Sequence, residues 1–74
     1  MSLGRIMIRK SAPEEVRRVS TSLNALTGVD RAVIDPVANT ITVEFDDQVV
    51  NLNQLRKTVQ AAGIDVLSEW KEPF

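Results

Sequence analysis

The 74-residue chain contains no cysteine and no histidine. Disulfide staples, thiolate chemistry, zinc-finger spacing and Cys–His or Ser–His catalysis are therefore excluded. No apolar run is long enough to span a bilayer, and the N-terminus lacks the apolar stretch of a secretory leader. The chain has no excess of positive charge either: its formal net charge is −1. Nucleic acid is usually held by a basic face, so it is not expected as a main partner. Glycine is scarce, with three in all, and two of them sit at matching places in a repeated pattern.

The repeat pairs Leu26-Thr27-Gly28-Val29-Asp30 with Ala61-Ala62-Gly63-Ile64-Asp65. Each stretch closes a helical pattern with glycine and opens a strand with a β-branched residue and an aspartate. Each helix also opens on a polar cap with a partner three residues on, Ser11…Glu14 and Asn51…Gln54. One domain is the count expected at this length. A hydrophobic content of 43% and a charged content of 26% are ordinary for a globular chain.

Arg5-Ile6-Met7-Ile8-Arg9 alternates polar and apolar residues and reads as the first strand. Ser11 suits an N-cap, Pro13 suits the first turn, and Glu14 and Glu15 suit the positive end of the helix dipole. Val16, Val19, Leu23 and Leu26 then form one apolar stripe, and Gly28 fits a left-handed helix end. The second strand spans about Val29–Asp35. Pro36 marks it as an edge strand, because proline cannot donate to a ladder. Thr40–Phe45 alternates cleanly, with Ile41, Val43 and Phe45 facing inward. Leu52, Leu55 and Val59 form the stripe of the second helix, and Ile64 to about Trp70 reads as the fourth strand. Met1-Ser2-Leu3 reads as a possible expression remnant, and Lys71-Glu72-Pro73-Phe74 as a tail or linker.

The order βαββαβ gives each helix one apolar stripe, so both must cover one face of the sheet. Right-handed crossovers then give a ferredoxin-like α+β sandwich. Its four-stranded antiparallel sheet should have the first and third strands at the centre.

Charge is spread unevenly. Residues 1–31 carry +3, while the remainder carries −4. A solvated surface accounts for this, and a dipolar docking surface is the functional alternative. Glu14 and Glu15 could form a weak cation site, but helix capping accounts for both. Asp46 and Asp47 lack EF-hand spacing and read as a solvated loop. Met7, a lone methionine in a strand, reads as packing rather than as a thioether ligand. Trp70 is either a partner anchor or a cover for one sheet face. Ser20, Thr21 and Ser22 have no base to activate them. Acylphosphatase-like proteins share the expected topology, but the first loop here has no glycine and carries Glu14 and Glu15, which would repel phosphate.

From Val16 onward the chain resembles a heavy-metal-associated domain of the type found in copper chaperones and P-type ATPases. The resemblance lies in Val19, Leu23, Leu26-x-Gly28-Val29, Ala32-x-Ile34 and Thr42-Val43-Glu44-Phe45-Asp46. It continues through Val50-x-Leu52-x-x-Leu55, Val59 and Ala61-Ala62-Gly63-Ile64-Asp65-Val66. The family binds soft metal ions with a Met-x-Cys-x-x-Cys loop. Counted back from Gly28, its two cysteine positions fall on Ala12 and Glu15, and its usual tyrosine falls on Ile64. Soft ions need thiolates, and neither residue supplies one.

The resemblance thus implies a cytoplasmic, non-catalytic domain of a metal-transport system with a degenerate metal loop. No metal or cofactor is expected. Its implied role is docking or regulation, through a surface at Ser11, Glu14, Glu15 and Ile64. A metal-transport ATPase or a related domain is the implied protein partner, with no nucleic acid and no insertion into a membrane. The alternative is a module that binds metal by carboxylates or by ligands shared with a second chain.

Overall fold

The computed structural model describes residues 1–72, and alternation along the central strands sets its layers. On β3 (Thr40–Phe45), Ile41, Val43 and Phe45 are buried while Thr42 and Glu44 face the other way. β1 (Ser2–Ile8) lies antiparallel beside it, with Ile6 opposite Ile41 and Gly4 opposite Val43. β2 (Val29–Asp35) flanks β3, and β4 (Val66–Glu72) flanks β1, giving the order β2-β3-β1-β4. All three pairings are antiparallel.

Helices α1 (Pro13–Asn24) and α2 (Leu52–Ala61) cover the face that carries Ile6, Ile41 and Val43. Each contributes two fully buried residues, Val19 and Leu23 from α1 and Leu55 and Val59 from α2. Each such side chain contributes roughly 1.5–3 kcal/mol on burial. The ferredoxin-like α+β arrangement expected from the sequence is the one observed. The opposite sheet face is open. Val33, Thr42, Arg5 and Trp70 run across it in register, one from each strand.

Four element boundaries differ from the sequence reading. β1 starts at Ser2, so Ser2 and Leu3 are ladder residues, paired with Phe45 and Glu44. Alternation missed this start because Gly4, on the core face, carries no side chain to mark it. A Cβ there would come 3.0 Å from the Phe45 ring. α1 ends at Asn24, four residues before Gly28, because the chain tightens into a turn in which the Leu26 N–H bonds the Leu23 carbonyl. Gly28, at φ 96°, then turns the chain into β2. A Cβ at Gly28 would meet Val49 and Val50 side chains at 2.9 Å. β4 begins at Val66 rather than Ile64 and continues through Lys71 and Glu72, which read as tail in the sequence. Pro73 and Phe74, the rest of that expected tail, lie outside the described residues.

Two side chains close backbone ends. Asn51 caps α2 as expected, with both arms of the Asn51–Gln54 capping box at 2.8 Å. Asn24 does something its place in the sequence does not announce. Its Oδ1 accepts from the Ala32 N–H at 3.0 Å and its Nδ2 donates to the Ala32 carbonyl at 3.3 Å. One amide thus fills a rung of the edge strand β2, where an unpaired strand would otherwise invite pairing with another chain.

Asp47, in the loop before α2, ties the start of the central strand β1 to the end of the edge strand β4. Its Oδ2 accepts from the Ser2 hydroxyl at 2.7 Å and faces the Lys71 ammonium at 3.4 Å. The Ser2 hydrogen bond, with Lys71 behind it, holds the Asp47 carboxyl below the usual aspartate range. Its contribution to stability is therefore present above the unfolded-chain pKa of about 3.9 and fades as the pH falls through the lower folded value.

Two outcomes are expected. Val43→Ala should cost on the order of 2 kcal/mol in urea unfolding, since Val43 is fully buried on a central strand. Asp47→Asn should lower the urea midpoint at pH 7, and the gap from the parent should narrow below about pH 4. A gap that stays constant down to pH 2 would show that Asp47 is not a stabilising ionised group.

Candidate docking face at the start of helix α1

The loop after β1 is short because Pro13 opens the helix at once. Pro13 stands where a backbone N–H has no helical partner, so its missing donor costs nothing there. The N-cap is Ala12, with extended φ and ψ of −67° and 152°. Alanine has no side-chain acceptor, so only one arm of a capping box can form. Glu15, three residues on, supplies it: its Oε1 accepts from the Ala12 N–H at 2.9 Å.

This corrects the expected Ser11–Glu14 box. The Ser11 hydroxyl turns back and donates to the Arg9 carbonyl at 2.9 Å, and Glu14 lies exposed one residue from the reciprocal position. The register shifts by one because Ser11 is used to close the preceding turn. The two positions that the resemblance assigns to metal ligands, Ala12 and Glu15, are therefore the N-cap and its partner, joined by one hydrogen bond.

The neighbouring loop between α2 and β4 stands beside this turn. The Arg9 N–H bonds the Asp65 carbonyl at 3.1 Å, and the two side chains pair at 3.6 Å across an exposed gap. Gly63, at φ 92°, faces Glu15; a Cβ there would lie 3.7 Å from the carboxylate. Arg18 donates to the Ala62 carbonyl at 3.2 Å and so closes the C-terminal end of α2 from α1. Ile64 needs a second correction. It is only 3% exposed and belongs to the core, so it underpins the loop face and presents no surface to a partner. The sequence reading counted it as the first residue of an edge strand, where it would have been more open.

The remaining candidates scatter. Met7 and Trp70 lie on the open sheet face, 38% and 37% exposed. The Trp70 indole N–H donates to Glu72, which also pairs with Arg5 at 2.9 Å. Asp46 Oδ1 accepts from the Gln48 N–H and shapes its own turn. The Thr21 hydroxyl donates to the Arg17 carbonyl. Among the described residues no three His, Cys, Asp or Glu side chains gather closely enough to hold a metal ion. The donor set at the loop is one carboxylate already engaged by an N–H, which does not suit a soft ion.

The profile of the heavy-metal-associated domain matches residues 14–65. The chain belongs to that family. Membership supports a role in metal handling. The solved structures it is similar to include the CopZ metallochaperone, at 24% identity and a TM-score of 0.82, covering 89% of this chain and 100% of that one. A copper-binding domain from HMA7, a P-type ATPase, aligns at 22% identity and a TM-score of 0.82, covering 95% and 100%. The Atx1–Cu(I)–Ccc2a complex aligns at 21% identity and a TM-score of 0.74, covering 92% and 97%. At these identities the likeness speaks for the fold. Among curated protein sequences none matches. No helix among the described residues is long and apolar enough to cross a membrane.

Ser11→Ala should leave the thermal midpoint nearly unchanged, because Ser11 is not the cap. Glu15→Ala should cost on the order of 0.5–1 kcal/mol, for the lost box arm and the lost charge at the helix start. A larger loss from Ser11→Ala than from Glu15→Ala would reverse the assignment.

Proposed function

We propose that this domain serves a metal-transport system as a docking or regulatory module whose metal loop has lost its ligands. The observation that carries this reading is the Glu15–Ala12 hydrogen bond. A carboxylate and a backbone N–H link the two positions where, by the resemblance, thiolates would hold the ion. The helix start is thus complete without metal, and no soft donor is left to compete for one. The face is formed by Ser11, Glu14 and Glu15, with Ile64 beneath it. The partner is a protein, a metal-transport ATPase or a related domain, and the setting is cytoplasmic. The pairing of Atx1 with Ccc2a in one of the similar structures supports a protein partner. The domain is non-catalytic in this reading, as the resemblance to the family implies.

Titration against a Cu(I) competitor tests the reading. The unmodified monomer should not bind Cu(I) tightly. The double change Ala12→Cys plus Glu15→Cys should gain tight binding, since both positions lie at a helix N-terminus, where thiolates are favoured. Tight binding by the unmodified monomer would overturn the degenerate-loop reading. A folded double variant that gains nothing would show that the loop has left the family geometry altogether.

A further inference from the structure

A groove of about 850 Å³ runs along α1 beside the edge strand β2. Its apolar lining comes from Pro13 and Val16 on the helix side and from Ala32, Val33, Ile34 and Pro36 on the strand side. Val16 is the telling member. It belongs to the apolar stripe of α1, yet it stays half-buried and does not pack into the core cluster as Val19 and Leu23 do. The groove is where that part of the stripe remains without a partner.

Its charge is one-sided. Arg17 stands on the helix wall and Arg31 on the strand wall, and no acidic residue lines the groove. Of the other cations, Arg5, Arg9, Arg56 and Lys71 pair with carboxylates and Arg18 with a helix-end carbonyl, while Lys10 and Lys57 do not line the groove. Among the described residues Arg17 and Arg31 have no such partner. The lining follows α1 from Pro13 to Asn24, about 16 Å at the helical rise. That length holds about five residues of extended chain, more than a compact small molecule needs. The Asn24 amide fills the Ala32 rung, so main-chain pairing there is closed and recognition falls to side chains.

We infer that this groove binds a short, extended, acidic peptide segment of a partner protein. Aliphatic side chains of the segment rest on Val16 and Ile34, and its carboxylates meet the Arg17 and Arg31 guanidiniums. The groove adjoins the loop face at Ser11 and Pro13 but does not depend on the proposed loss of metal.

Amide NMR titration of the whole chain with the peptide Ac-Glu-Leu-Glu-Val-Glu-Leu-NH2 tests this. Shifts should concentrate at Val16, Ala32 and Ile34, and affinity should fall as salt rises. The peptide with Gln for Glu should bind about two- to thirtyfold more weakly, the range that two exposed ion pairs supply. Arg17→Gln plus Arg31→Gln should cause the same loss with an unchanged unfolding midpoint. No groove shifts at millimolar peptide would overturn the proposal. So would equal binding of the Gln peptide, or undiminished binding by the double variant. Octanoate matching the Glu peptide at the same amides would make this a small-molecule site instead. Sedimentation showing a dimer that the double variant abolishes would make the occupant a second copy of the chain.

Discussion

The pairing of β1 with β3 supports everything else in the domain. Ile6 lies opposite Ile41 there, and both are fully buried under the helices. Because side chains alternate across a strand, that one register sends Arg5 and Thr42 to the open face and Ile8 and Val43 to the core. A slip by one residue would invert every layer. The helices can dock only on the face this pairing makes apolar, and each crossover returns its strand to an outer position. The loop after β1 and the loop before β4 are thereby brought to the same end of the sheet, where Arg9 meets Asp65.

Most of that arrangement could be read from residue types alone. The alternation of Ile41, Val43 and Phe45, the Asn51–Gln54 box and the glycines at 28 and 63 each report a local conformation, and each appears in the fold. The errors share a cause. β1 was read too short because Gly4 leaves a gap in the apolar pattern, while its absent Cβ is what admits the Phe45 ring. The cap was read one residue early because Ser11 is the better capping residue by type. The structure spends its hydroxyl on the Arg9 carbonyl, and a cap without a side-chain acceptor is completed from Glu15 instead.

The site was less legible than the fold for a related reason. Spacing placed Ala12 and Glu15 on the family's ligand positions, but what they do to each other depends on three-dimensional geometry. Ile64 shows the same limit from the other side: the resemblance put it on the loop surface, and packing drew it inward. The groove beside α1 left only a faint trace. Val16 fits the apolar stripe by period, and nothing in the sequence says that it stays half-buried outside the core.

Asn24 joins the β2 edge and the groove in one side chain. Asparagine side chains deamidate slowly in water, replacing the amide nitrogen with a second oxygen. At Asn24 that exchange would remove the donor held by the Ala32 carbonyl and set a carboxylate against it, at a spacing now suited to a hydrogen bond. It would also place a negative charge in a groove whose only charged residues are Arg17 and Arg31. Loss of that one amide would thus unseal the β2 edge and offset the positive charge beside it in a single step.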